Sequence, residues 1–237
     1  LAISDQPVSS DDFPPLTLVG LLGIRDELRS ETPAAVREVQ GAGVQVVMIT
    51  GDNRDTAAAI AKEAGLLRRD NDVVLTGGEL SSKSDEEIKQ LLPRLRVVAR
   101  ALPGDKSRLV RLAQEMELVA GMTGDGINDA PALKKADVGF AMGSGTEVAK
   151  EAGDIVILND NFRSIAKAIL YGRTIFKSIR KFVIFQLTMN LCAVGISVIG
   201  PFIGVDTPVT VMQMLWINMI MDTLAGLAFA GEPPLPA

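Results

Sequence analysis

The sequence predicts an α/β domain built on a doubly wound parallel sheet, followed by an all-α two-helix transmembrane hairpin. Three observations carry this. Short apolar runs alternate with amphipathic helical stretches from residue 16 to about residue 158, the pattern of a parallel sheet covered by helices. Two later apolar stretches are each long enough to cross a hydrocarbon core of about 30 Å at about 1.5 Å per residue. Every lysine and arginine lies at or before Lys181, and beyond it the only charged residues are Asp206, Asp222 and Glu232.

A helix is expected over 32–40, and the clearest strand over 44–49, where VQVVMI is apolar but for Gln45. Thr50-Gly51-Asp52 follows that strand and leads into a helix over 54–64. Further strands are expected over 73–75, 96–99, 118–122, 138–142 and 155–158. Helices are expected over 85–92, 106–115, 129–134 and 147–151. Cap chemistry supports two of their starts: Ser84 precedes Asp85 and Glu87, and Thr146 precedes Glu147. Ligands in such folds sit at the carboxyl ends of the strands, where loops and helix N-termini bring unpaired N–H groups together. Thr50-Gly51-Asp52 and Thr123-Gly124-Asp125 both fall at that edge. Residues 1–160 therefore form the soluble domain, and 161–181 a linking helix with Arg163, Lys167, Arg173, Lys177, Arg180 and Lys181. The hairpin occupies 182–230, with spans over 182–203 and 209–230, and 231–237 is a tail. The basic cluster before the first span places the soluble domain in the cytoplasm and makes the protein multi-pass.

Composition narrows the chemistry. A chain of 237 residues, 47% hydrophobic with a net charge of -5, buries a sizeable core, which excludes disorder and a collagen-like class. No basic stripe of the kind that neutralises phosphate backbones is present, so nucleic acid is not an expected partner. Cys192 is the one cysteine and sits in an apolar span, so neither an internal disulfide nor a cysteine metal site can form. There is no histidine, which removes His-activated nucleophiles and His-bound zinc. Carboxylates, lysine, threonine and magnesium remain. The sequence begins at Leu1 without a signal-peptide pattern and reads as a piece of a longer chain.

Residues 123–133 read TGDGINDAPAL. Asp125 and Asp129 are four apart, Gly124 and Gly126 allow close backbone approach, and Asn128 stands at a helix start. Two carboxylates beside a phosphate repel it, so the arrangement makes chemical sense with a divalent cation, magnesium being the natural choice. An Asp/Asn-rich turn capping a helix is the blander account. The longer run TGDGINDAPALKKADVGFAMG resembles the hinge motif of P-type ATPases, members of the haloacid dehalogenase-like superfamily. The resemblance implies that Asp125 is a magnesium ligand and that Asn128 and Asp129 support phosphate and metal. It implies that Thr50, Gly51 and Asp52 form the segment whose Thr hydroxyl and Gly N–H bind the phosphoryl group. Lys106, in PGDK, matches the lysine that neutralises a phosphorylated aspartate, and Arg100 matches an arginine that contacts ATP, with Asp52 beside it. Asp26 and Arg29 match two residues of the family's Asp-Pro-x-Arg segment, here without its proline. Gly143-Ser144-Gly145 reads as a turn before a capped helix. The family's nucleophile segment Asp-Lys-Thr-Gly-Thr does not occur, so this chain alone is expected not to autophosphorylate.

Polar groups in a bilayer core are expensive, so Asn190, Asn218 and Asp222 should face one another or a hydrated cavity. Asn218 and Asp222 share a helix face, and one carboxylate with two amide oxygens suits a hard cation. Interhelical hydrogen bonding is the structural alternative. Gln186, Thr188 and Gln213 either line a path or pack. FVIFQLTMNLCAV and MLWINMIMDTLAGLAFAGEPP resemble the fifth and sixth membrane helices of calcium pumps of the plasma-membrane type. The resemblance implies part of an ATP-driven, calcium-transporting P-type ATPase, with ATP, calcium, the lipid bilayer and the remaining segments of the pump as partners. A membrane-anchored phosphatase of the same superfamily is the competing enzyme, but no Asp-x-Asp pair suited to it is found. The non-enzymatic alternative is a membrane subunit that binds magnesium and phosphate without turnover.

Overall fold

The computed structural model describes residues 2–3, 17–18, 27–205 and 208–234, so Asp26 and Asp206 lie outside the described residues. The chain divides into two compact units, Leu1–Ser30 and Glu31–Ala237. In the first, β1 (Ala2–Ile3) pairs antiparallel with β2 (Thr17–Leu18), Ala2 opposite Leu18.

The second unit alternates helices and strands as its periodicity predicts. It runs through α1 (Thr32–Gly41), β3 (Met48–Ile49), α2 (Arg54–Glu63), β4 (Val73–Thr76), α3 (Gly77–Ser81) and α4 (Asp85–Leu91). Then come β5 (Leu95–Ala99), α5 (Pro103–Glu115), β6 (Gly121–Gly124), α6 (Ala130–Lys135), β7 (Val138–Met142), α7 (Glu147–Ala152) and β8 (Ile155–Ile157). The strands form two three-stranded parallel sheets, ordered β3-β5-β4 and β6-β7-β8. Helices cover the strands from both sides. Val110 of α5 packs with Met122 of β6, Leu133 of α6 and Ala149 of α7, while Phe140 of β7 and Ile157 of β8 pack instead against Ile165. Around β4 and β5, Leu75, Leu95 and Val98 meet Leu80, Ile88, Leu109 and Leu112.

Helix α3 is not among the expected elements and starts at a Thr76–Glu79 capping box, and three expected elements differ in extent for identifiable reasons. The strand expected over 44–49 is paired only at Met48 and Ile49, where among the described residues β3 has β5 as its neighbour. Gln45, the polar interruption in that run, donates instead to the carbonyls of Leu92 (2.7 Å) and Leu95 (2.8 Å). β6 starts three residues later than 118: α5 ends in a turn at Met116 and Glu117, where Glu117 takes a left-handed φ of 58°, and Asp137 Oδ2 accepts the Ala120 N–H at 2.7 Å just before the strand. α5 starts at Pro103 rather than residue 106, with proline in the first turn where a missing N–H costs nothing.

A single 38-residue helix, α8 (Phe162–Ile199), covers both the linking stretch and the first apolar span. At about 1.5 Å per residue it is about 57 Å long. Asn161 caps it by accepting the Arg163 N–H at 2.9 Å. A 3-10 turn at Gly200–Ile203 and a short connection lead to α9 (Val211–Ala230). Both helices are long and apolar enough to cross a membrane, and Leu187, Leu191, Leu215, Trp216 and Leu227 stand exposed along them. The hairpin closes at one end through Phe229, whose ring meets those of Phe182 and Phe185 edge-on at 6.4 and 6.2 Å. Lys181 Nζ pairs with Glu232 Oε1 beside them at 2.5 Å. Toward the sheets, Arg173 Nη1 donates to the Ala42 carbonyl at 2.6 Å and Asn161 Nδ2 to Glu31 Oε1 at 3.1 Å, fixing α8 to α1.

Candidate functional site

The first loop grows from the carboxyl end of β3. Thr50 N–H continues the parallel ladder by donating to the Val98 carbonyl at 2.9 Å. Thr50 Oγ1 then donates to Asp52 Oδ2 at 2.9 Å and accepts the Asp52 N–H at 3.2 Å, which folds the tripeptide into a tight turn. Asn53 accepts the Thr56 N–H at 2.9 Å and starts α2. Gly51 is exposed, and its N–H has no partner among the described residues.

The end of β5 is stitched to this turn. Arg100 N–H donates to the Asp52 carbonyl at 2.8 Å, and Ala101 N–H to the Thr50 carbonyl at 2.9 Å. Arg100 holds a left-handed φ of 49°, uncommon for a residue with a side chain, and its guanidinium is exposed. Asp105, only 6% exposed, accepts the Leu102 N–H at 2.8 Å and closes the first turn of α5. That turn sets Lys106 one residue on.

Lys106 Nζ reaches Asp129 Oδ1 at 2.5 Å. The other oxygen of Asp129 accepts the N–H groups of Asp125 and Gly126, each at 3.2 Å. Burial pushes the Asp129 carboxyl up, but Lys106 and these two backbone donors outweigh it and hold the group below the ordinary aspartate range. Gly124 makes this possible, since a Cβ there would stand 2.4 Å from Asp129 Cβ. A chain of contacts thus runs from the Thr50 turn through β5 and α5 to Asp129 and the Asp125 loop.

Asp125 and Asn128 are exposed on that loop, whereas Asp129 is buried. The two aspartates therefore do different work: Asp129 is neutralised by Lys106, which leaves Asp125 as the free carboxylate. Among the described residues no group of three acidic or thiol side chains could hold a metal by itself. One exposed carboxylate nonetheless fits magnesium, which keeps several waters and takes one or two protein carboxylates plus phosphate oxygens. The 143–145 turn has a part in this loop that its sequence did not reveal. Thr146 N–H donates to the Asp125 carbonyl at 2.8 Å, and a Cβ on Gly145 would stand 2.8 Å from that same oxygen. Two glycines flanking Ser144 were the available signal. Arg29 is exposed in the first unit.

In the hairpin, Asn190 and Asn218 are half-buried and Asp222 is exposed. The side chains of these three make no hydrogen bond among the described residues, so two helices alone do not close a cation site. Thr188 and Gln213 are occupied locally. Thr188 Oγ1 donates to the Ile184 carbonyl at 2.8 Å, and Gln213 Oε1 accepts the Thr210 N–H at 3.0 Å in a capping box. Gln186 differs, because its Oε1 is buried with no partner among the described residues.

The chain is 49% identical over 237 residues to calcium-transporting ATPase 2 of Schizosaccharomyces pombe, an alignment covering 98% of this chain and 18% of that protein. It is 48% identical over 234 residues to plasma membrane calcium-transporting ATPase 1 of Mus musculus, covering 92% of this chain and 19% of that protein. The chain thus spans about a fifth of the length of these curated relatives. Among solved structures, a zinc-transporting PIB-type ATPase in its E2.Pi state matches with a TM-score of 0.59 and 31% identity, over 86% of this chain and 27% of that one. A family model described as haloacid dehalogenase-like hydrolase matches residues 4–137, more than half the sequence, and a second of the same description matches residues 115–169. This chain, with its paired Lys106 and Asp129 beneath two TGD loops, belongs to the haloacid dehalogenase-like hydrolases.

Proposed function

We propose that the chain is the portion of an ATP-driven calcium pump of the P type that joins the phosphorylation site to the ion path. The single observation that carries this is one polypeptide holding both a Lys106–Asp129 phosphoryl-type site and, on the continuous helix α8, a polar position in a membrane-length span. The resemblance to proteins named calcium-transporting ATPases supports the choice of cargo.

In this reading an aspartate outside the chain attacks the γ-phosphorus of ATP, ADP leaves, and water later hydrolyses the aspartyl phosphate. Thr50 and the free Gly51 N–H bind oxygens of the transferred group, and Lys106 offsets its negative charge. Asp129 holds Lys106 in place and anchors the loop amides, Asn128 stands beside it, and Asp52 orients the Thr50 hydroxyl. Arg100 reaches toward the nucleotide. Asp125 is the residue that would hold magnesium, which supplies charge neutralisation at the phosphate oxygens. Among the described residues β3 and β6 each pair on one side, and the apolar run before Ile49 is half-buried rather than buried. Those open edges suit a strand from the remaining segments of the pump, including the nucleophile. In this reading the chain alone does not autophosphorylate, because the Asp-Lys-Thr-Gly-Thr segment does not occur in it.

Asn190, Asn218 and Asp222 contribute oxygens to calcium, with further ligands from neighbouring helices that cover the exposed side of Asp222. The sheets lie on the cytoplasmic side, and the hairpin crosses the bilayer twice. Replacing Asp222 by Asn in the complete pump should abolish calcium-dependent phosphorylation from ATP while leaving phosphorylation from inorganic phosphate. Unchanged calcium dependence would defeat the assignment.

A further inference from the structure

We propose that Gln186 is a second coordination post for the transported cation, one helical turn to the Lys181 side of Asn190. The proposal rests on the pump reading and adds a residue to its ion path.

The polar side chains of the hairpin sort into two groups. Thr188, Ser197 and Thr223 each donate to a carbonyl four residues back, at 2.8, 2.9 and 2.9 Å, and Thr210 and Gln213 cap α9. The amides and carboxylate left without a side-chain partner among the described residues are Gln186, Asn190, Asn218 and Asp222. Three of these are the cation ligands of the reading above. Gln186 is the fourth, and its Oε1 is buried without a hydrogen-bond partner among the described residues. A buried carbonyl with nothing to accept is destabilising, and a leucine of similar size would avoid that cost.

The antiparallel register places Gln186 in line with the others. Lys181 meets Glu232, and Phe182 and Phe185 meet Phe229, so the matching heights along α8 and α9 are fixed at that end. Counting from these anchors at about 1.5 Å per residue sets Asn190 level with Asp222. Asn218 lies about 6 Å farther from the Lys181 end, and Gln186 about 6 Å nearer to it. Gln186 and Asn190 are four apart and both half-buried on one face of α8. A neutral amide oxygen at that height suits a hard divalent cation that has shed part of its water and has not yet reached the carboxylate. Because the basic end is the cytoplasmic one, Gln186 stands on the intake side.

The test uses the complete pump in inside-out vesicles and measures the calcium concentration that half-saturates phosphoenzyme formation from labelled ATP. Gln186→Leu should raise that concentration about tenfold, and Gln186→Glu, which keeps an oxygen, should return it to within about threefold of the starting value. Phosphorylation from inorganic phosphate without calcium should stay at the unsubstituted level in both variants, which shows that they fold; if Gln186→Leu fails this check, Gln186→Met takes its place with the same expected rise. An unchanged half-saturation in the apolar variant, alongside a raised one in Asn190→Ala, would overturn the proposal and leave Gln186 as a packing residue. If the unsubstituted pump forms no calcium-dependent phosphoenzyme, the pump reading itself fails and takes this proposal with it.

Discussion

Lys106 and Asp129, 23 positions apart in sequence, are joined at 2.5 Å, and the same carboxylate holds the N–H groups of the Asp125 loop through its other oxygen. The Asp129 side chain is 8% exposed and that of Lys106 20%. Removing the ammonium leaves a buried carboxylate with two backbone donors and no counter-charge. Lys106→Met should therefore destabilise the chain by about 3 kcal/mol, the lower end for one partner lost from a buried pair. Denaturant unfolding in detergent measures this. The double variant with Asp129→Asn should recover more than half of the loss, and a single-variant cost under about 0.5 kcal/mol would show that the pair contributes nothing, as exposed pairs often do.

The same pair gives a pH dependence with a defined sign. The folded-state pKa of Asp129 lies below its unfolded value, so its stabilisation is complete above the unfolded value and fades as pH falls through the folded one. Asp72, Glu79 and Asp85 are lowered too, so the whole acid limb does not report on Asp129 alone. The difference in stability between the unsubstituted chain and Asp129→Asn does. That difference should be level above about pH 5 and shrink below about pH 4. A difference that grows on acidification would reverse the assignment of Lys106 as the dominant stabilising partner.

Gly124 and Gly145 should not tolerate alanine, each for its own contact. At Gly124 a methyl would overlap Asp129 Cβ and Cγ, at 2.4 and 2.6 Å, so Asp129 must leave Lys106. At Gly145 it would press on the Asp125 carbonyl oxygen and Cα, at 2.8 and 3.0 Å. Each overlap should cost about 1–3 kcal/mol. Only Gly124→Ala should also raise the Asp129 pKa toward the ordinary range, which titration followed by carbon NMR of the carboxyl would show. Equal pKa effects would mean that the two loops move as one body.

The parts of this architecture that rest on periodicity were legible in the sequence. Caps at Ser84 and Thr146, the strand over 138–142 and the two spans follow from local spacing and appear in the structure. Residues 44–47 and 118–119 were not legible, because apolar character alone cannot say whether a neighbouring strand is present to pair with them. The same limit hid the division of labour between Asp125 and Asp129. Their spacing showed two carboxylates four apart, but only the fold reveals that Lys106 neutralises one of them. The sequence marks Gly145 only as part of a turn, because the residue it protects, Asp125, lies twenty positions earlier. Gln186 looked interchangeable with Thr188 and Gln213 until local hydrogen bonds accounted for those two and left its own oxygen bare.

Arg173 links α8 to the sheet-bearing part of the unit and offers the last prediction. Its guanidinium donates to the carbonyl of Ala42, the residue that caps α1 at its C-terminal end. That end carries unsatisfied carbonyls and the negative pole of the helix, so a cation there is favourable by about 0.3–1 kcal/mol when exposed. Arg173→Ala should therefore change global stability by no more than about 1 kcal/mol. Its effect should instead be local, with faster amide exchange in the last turn of α1 and the first turns of α8. On the proposed pump reading, calcium would drive phosphorylation less effectively in this variant, because α8 is less firmly held to α1. Arg173→Lys keeps the charge and should recover most of the protection against exchange. Exchange rates unchanged in the alanine variant would show that the remaining α1–α8 contacts hold the helix without this bond.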